Sequence, residues 1–235
     1  MMMKDSGPRV LLVDDSATIR YAMQNRLQML GCQVDCVADG GSALAAIQAQ
    51  SYGMVLLDCF LPDMPGPEVA RQVRLLEQHD STRSYTPLIG ISAEADATHV
   101  QRCLDSGMDG TLDKPLQTVA IRRLLALWCD HESGEDGAPA TAEEEHSQDL
   151  ARLFIQTAQS DLQALQQASV MGDAARLGQL THRMKGAALT MGRAEIVALL
   201  ECVEEALRAD TDERQAIGLL LQSLSSALQA RSLQS

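Results

Sequence analysis

Short apolar runs and helix-spaced apolar stripes alternate along the first half of the chain. Residues 9–13 (RVLLV), 33–37 (QVDCV), 54–57 (MVLL), 87–91 (PLIGI) and the brief 110–112 (GTL) read as strands. Between them, Ile19, Met23, Leu27 and Leu30 recur at helical spacing, with Ser16 placed to cap and Gly31 to end that helix. A second helix opens at Gly41-Ser42 with Leu44 and Ile47 on its face. A third opens near Pro67 with Val69, Val73 and Leu76. A short fourth ends near Gly107, and a fifth runs through Trp128. Strands alternating with helices predict an α/β domain, a parallel sheet covered on both faces and joined by right-handed crossovers.

The second half has no strand signal. Helical patterns fit 142–169, 173–190, 193–209 and 212–231, parted by Gly172, Gly192 and Thr211. Joints this short make neighbours antiparallel, which predicts an all-α four-helix bundle. Between the halves, HESGEDGAPATAEEEH (131–146) has no apolar period, and residues 132–145 carry six of the net thirteen negative charges. That is the composition of a solvated linker, ending in a capping box of Thr141 and Glu144 that starts the next helix. The expected division is 8–130, an acidic linker 131–145, and 146–231.

Composition narrows the class. With 46% apolar but only 3% aromatic residues, the cores must be aliphatic and Met-rich. No apolar run approaches the roughly 18 residues of a membrane span, and the N-terminus lacks a signal-peptide stretch, so no membrane segment is expected. Cys32, Cys36, Cys59, Cys103, Cys129 and Cys202 show no Cys-x-x-Cys spacing. They read as reduced core residues of a cytoplasmic protein rather than a disulfide framework or zinc site. A net charge of −13 argues against nucleic acid as a partner.

The candidate chemistry sits at strand ends. Asp14-Asp15, Asp58, Ser92 and Lys114 each follow a separate strand, and in an open parallel sheet those ends line one crevice. Clustered carboxylates suit Mg²⁺, an all-oxygen cation site. With a lysine and a hydroxyl beside them they have the parts to accept a phosphoryl group: cations for its oxygens, a hydrogen-bond donor, and Asp58 as nucleophile. Taken singly, the acid pair could be helix-start chemistry and Lys114 a surface charge.

On these motifs residues 8–130 resemble a response-regulator receiver domain (CheY-like). That family carries an acid pair after strand one, an Asp phosphoacceptor after strand three, Thr or Ser after strand four, and Lys-Pro after strand five. The matching residues here are Asp14-Asp15, Asp58, Ser92 and Lys114-Pro115. The resemblance implies a flavodoxin-like, doubly wound sheet of order 2-1-3-4-5. It also implies Mg²⁺ on Asp15, Asp58 and the Phe60 carbonyl, with Asp14 acting through water, and a cis Lys114–Pro115 peptide. Phe60 is expected over the Asp58 phosphoryl group. One departure stands out: the family's aromatic switch position, three residues before the lysine, is Thr111 here, which puts output by a rotating ring in doubt.

In the second half the focus is His182. Leu177, Leu180, Met184, Ala187 and Met191 define the buried face of its helix, and His182 lies about 200° round from Leu180, which predicts a solvent-facing imidazole. Gly178 and Gly186 flank it at i−4 and i+4, at roughly 1 kcal/mol each against alanine, as if to let another surface approach. Lys185 at i+3 supplies a positive charge. His79, His99, His131 and His146 read as ordinary exposed histidines. The segment HRMKGAALTMG resembles the His-x-x-Lys-Gly signature of histidine phosphotransfer (HPt) domains, over about 146–231. The resemblance implies a phosphohistidine at His182 and phosphoryl contacts from Lys185. Two of the chain's three lysines thus stand beside the two expected phosphoryl acceptors.

The reading that follows is a phosphorelay module, arranged like the tail of a hybrid sensor kinase. Asp58 accepts from the phosphohistidine of an upstream sensor kinase, and His182 passes the group to a separate response regulator. No glycine-rich ATP-binding box appears, so the expectation is a phosphotransfer protein, not an ATP-using enzyme. The alternatives are an Mg²⁺-dependent phosphohydrolase of the haloacid-dehalogenase kind and an adaptor that transfers nothing. The first needs an Asp where this chain has Phe60.

Overall fold

β1 (Arg9–Val13), β2 (Gln33–Val37), β3 (Met54–Asp58), β4 (Leu88–Ser92) and β5 (Gly110–Asp113) form one sheet of order β2-β1-β3-β4-β5. Every pairing is parallel, with Val13 opposite Leu57, Asp58 opposite Ile91 and Ser92 opposite Asp113. This computed structural model describes residues 7–80, 82–93, 96–131, 140–208 and 214–232. The chain divides into two units, Met1–Ala142 and Glu143–Ser235.

The first unit has two cores because a parallel sheet must be covered on both faces. On one face Leu11, Val13, Val55 and Leu57 pack with α2 (Gly40–Ala49) and α3 (Gly66–His79) through Ala43, Ile47, Val69 and Val73. On the other, Val10, Leu12, Leu56 and Ile91 meet α1 (Ala17–Met29) and α5 (Thr118–Cys129) through Ile19, Met23, Leu27, Ile121 and Leu125. α4 (Ala97–Asp105) lies between β4 and β5 in the chain. Ser16 caps α1, its side chain accepting from the Ile19 N–H, and Gly31 turns the chain out at φ +83°.

In the second unit α6 (Ala140–Met171), α7 (Ala174–Thr190), α8 (Ala194–Arg208) and α9 (Arg214–Ser232) build the antiparallel bundle. One core takes Phe154, Ala158 and Leu165 from α6 and Leu177, Leu180 and Met184 from α7. It takes Ile196 and Leu200 from α8 and Leu221 and Leu224 from α9. Asp173 caps α7 by accepting from the Arg176 N–H. Gly172 and Gly192 end their helices at φ +71° and +62°, where a β-carbon would be strained.

The bundle starts earlier than its pattern suggests. α6 begins at Ala140, so residues 140–145 of the expected linker are helical, Thr141 among them. Alanine and glutamate are good helix formers, and acids near a helix start favour its dipole. Linker residues 132–139 lie outside the described residues.

Candidate functional site

The carboxyl ends of β1, β3, β4 and β5 bring the expected residues together. Asp14 follows β1, Asp58 ends β3, Ser92 ends β4 and Lys114 follows β5. Carboxylate oxygens of Asp14, Asp15 and Asp58 lie within 4.8 Å of one another. The Lys114 ammonium stands 2.9 Å from Asp14 Oδ2 and 2.7 Å from Asp58 Oδ2. Asp14, Asp58, Ser92 and Lys114 are buried, whereas Asp15 is half-buried.

Local structure aims these groups. The Ser16 N–H donates to Asp14 Oδ1 (2.8 Å), and the Phe60 N–H donates to Asp58 Oδ1 (3.1 Å), leaving Asp58 Oδ2 to Lys114. The loop after Asp58 closes through the Gly66 N–H on the Cys59 carbonyl, 3.0 Å. A β-carbon at Gly66 would come within 2.2 Å of the Asp58 carbonyl oxygen, so only glycine lets α3 start this close to the site. The Lys114–Pro115 peptide is cis, and the Lys114 N–H donates to the Ser92 carbonyl at 2.7 Å.

The electrostatics are those of buried charges. Burial is the main force on Asp14; with the charge of Asp58 it outweighs the pull of Lys114, and the Asp14 carboxyl is pushed up to about 7. Burial alone would lower the ammonium of Lys114. The carboxylates of Asp14 and Asp58 outweigh that, and Lys114 stays charged well above its usual value. Three acids against one lysine leave a net negative, oxygen-lined site, the donor set of a hard divalent cation such as Mg²⁺.

Phe60 is 39% exposed, and its ring stacks on His99 of α4, with centroids 5.7 Å apart and an interplanar angle of 10°. His99 is therefore not the exposed histidine its position suggested. It is buried at 4% exposure, held under Phe60 and against Cys103. Thr111 is half-buried on β5.

His182 also departs from expectation, being only 6% exposed rather than facing solvent. The apolar stripe of α7 is buried, but burial extends beyond it. Thr181, Lys185, His182 and Gly186 extend the buried arc to about 260° of the helix, at about 100° per residue. Its polar side also meets its neighbours, α6 through Arg183 and α8 through Lys185, so more than the apolar face is covered. Lys185 is buried too, its ammonium 2.5 Å from Glu204 of α8. Arg183 pairs with Asp161 of α6 at 2.5 Å. A β-carbon at Gly178 would meet nothing within 4 Å, so open space lies one turn before His182. Nothing in the sequence marks Glu204, because its partner Lys185 comes from another helix.

Comparison with known proteins matches both units. The family model of the response regulator receiver domain matches residues 10–126, and that of the Hpt domain residues 149–231. The sensor histidine kinase AruS of Pseudomonas aeruginosa is 31% identical over 239 residues, 93% of this chain and 23% of its own length. The sensor protein EvgS of Escherichia coli is 28% identical over 221 residues, 90% of this chain and 18% of its own. The chain thus spans about a quarter or less of the curated relatives it matches. Among solved structures, one neighbour is the receiver domain of a P. aeruginosa sensor histidine kinase with magnesium in its active-site cleft. It is 32% identical, covering 53% of this chain and 98% of that one at a TM-score of 0.47. Another is the Saccharomyces cerevisiae complex of the histidine phosphotransfer protein Ypd1 with the receiver domain of Ssk1. It is 20% identical at a TM-score of 0.50, covering 56% of this chain and 94% of that one. No helix among the described residues is long and apolar enough to cross a membrane.

Proposed function

Because the chain belongs to the two-component phosphorelay families, with a response regulator receiver domain at 10–126 and an Hpt domain at 149–231, we propose that Asp58 and His182 are successive carriers of one phosphoryl group. The donor is the phosphohistidine of an upstream sensor kinase. The final acceptor is an aspartate on a separate response regulator. The observation that carries this reading is the convergence of Asp14, Asp15, Asp58 and Lys114 from three strand ends onto one point.

In the first step an Asp58 oxygen attacks phosphorus, the P–N bond to the donor imidazole breaks, and an acyl phosphate forms. Lys114 neutralises a phosphoryl oxygen, and Ser92 at the end of β4 donates a hydrogen bond to another. Asp14, Asp15 and Asp58, with the Phe60 carbonyl, are the residues that would hold Mg²⁺, which supplies positive charge against the phosphoryl oxygens. In the second step His182 takes the group from Asp58. His182 is covered at rest, so this step includes a local opening that presents its ring to the incoming phosphoryl group. Lys185, beside it on α7, then exchanges Glu204 for the phosphoryl oxygens.

The test is label chemistry on three proteins. Wild type incubated with a phosphorylated sensor kinase and Mg²⁺ should carry both base-labile and base-stable, acid-labile label. Asp58→Asn should take no label from the kinase. His182→Gln should hold only the base-labile acyl phosphate and pass nothing on. Asn-variant labelling at the wild-type rate would remove Asp58 from the relay, and undiminished onward transfer by the Gln variant would remove His182.

A further inference from the structure

Cys59, His99 and Cys103 form a second cluster of ligand atoms, beside the Phe60–His99 ring stack. Cys59 follows Asp58 at the end of β3, and His99 and Cys103 are one turn apart on α4. Their exposures are 2%, 4% and 0%. The two Sγ atoms are 3.5 Å apart, Cys103 Sγ is 3.6 Å from His99 Nε2, and all three ligand atoms lie within 4.8 Å of one another. Three ligands that share one ion at roughly 2.0–2.3 Å stand about 3.5–4 Å from each other, so these atoms already have the spacing of a coordination triangle.

The donor set selects the ion. Two thiols and an imidazole are soft to borderline ligands, with no carboxylate in the cluster. A further soft atom adjoins it: a β-carbon at Gly90 would touch both Met108 Sδ, at 2.8 Å, and Cys59 Sγ, at 3.3 Å. Zinc favours four strong ligands from cysteine, histidine or carboxylate, and this cluster supplies three. Copper(I) is satisfied by two or three soft ligands and needs no water. From this geometry we propose that Cys59, His99 and Cys103 bind one copper(I) ion, with the Met108 thioether as a weak additional neighbour. Each thiol gives up its proton as its sulfur binds, so two protons leave per ion. Phe60, 39% exposed, stacks on one face of the His99 ring, and Arg102 Nη2 lies 3.5 Å from His99 Nδ1. Once bound, the ion ties α4 directly to the end of β3.

The experiment uses the full chain, reduced and oxygen-free, titrated with copper(I) supplied as its acetonitrile complex against the coloured chelator bicinchoninate. The wild type should withdraw one equivalent, and so should Cys32→Ala, whose thiol lies near Cys129 instead. Cys59→Ala and Cys103→Ala should each weaken competition at least tenfold, with circular dichroism showing that they fold. The copper X-ray absorption of the loaded wild type should show sulfur together with one imidazole nitrogen, a readout that needs no variant. The proposal is overturned by a folded wild type that takes no copper from the chelator, by alanine variants that compete equally well, or by a sulfur-only shell. Stoichiometric binding of zinc at these residues with no binding of copper(I) overturns it as well.

Discussion

Lys114 Nζ lies 2.7 Å from Asp58 Oδ2 although 56 residues separate them in the chain. The same ammonium meets Asp14, so one buried lysine compensates two buried carboxylates. Removing it leaves charge without a partner, which costs more than the pair contributes. Lys114→Met should lower the stability of the first unit by about 3 kcal/mol at pH 8, measured by urea unfolding in the absence of Mg²⁺. A loss of the same size at pH 5 would refute the electrostatic account, because Asp14 takes up a proton as the pH falls.

Asp14 itself works against the fold. Its folded value of about 7 lies above the ordinary 3.8, so between these pH values the native state binds a proton that the unfolded chain does not. Stability is therefore highest below about pH 4 for this group and falls as the pH rises through 7. Asp14→Asn should stabilise the metal-free protein by about 2–4 kcal/mol at pH 8 and by little at pH 4. Thermal unfolding across this range checks it, and Mg²⁺ should narrow the difference by favouring the carboxylate. A gain independent of pH would show that packing, not charge, sets the effect.

Phe60 stands two residues past Asp58 with its ring on His99. Phe60→Asn removes that stack and opens the rim of the site to water. In a His182→Gln background, which blocks onward transfer, the Asp58 acyl phosphate should then hydrolyse several-fold faster. An unchanged or longer lifetime, followed by loss of base-labile label, would mean that the ring does not shield the acceptor.

The Lys185–Glu204 pair joins α7 to α8 with both side chains largely buried, at 6% and 12% exposure. Glu204→Gln should destabilise the second unit by about 2–4 kcal/mol, since a buried ammonium loses its counter-charge. The double variant Lys185→Met, Glu204→Gln should recover most of that loss. Denaturant unfolding of the four proteins of the cycle gives the coupling, and additive losses would show that the two residues do not depend on each other.

What the sequence determined by itself was what local periodicity and chain order control. Five apolar runs alternating with helical stripes specify a parallel sheet, and residues that follow its strands must gather at one edge. Asp14, Asp15, Asp58, Ser92 and Lys114 were legible for that reason, as was the apolar stripe of α7 from Leu177 to Ala187. Tertiary structure alone decided what depends on neighbours from distant parts of the chain. Burial of His182 and Lys185 follows from how far the bundle wraps α7, which the stripe does not reveal. His99 looks polar and exposed on its own short helix until Phe60 and Cys103 close around it. Cys59 and Cys103 show no motif because their 44-residue separation carries no metal-ligand spacing. They meet only because β3 delivers one thiol to the place where α4 presents the other. Periodicity reports which face of an element is apolar, whereas contact between polar groups depends on how two elements are docked, and that is a property of the folded molecule.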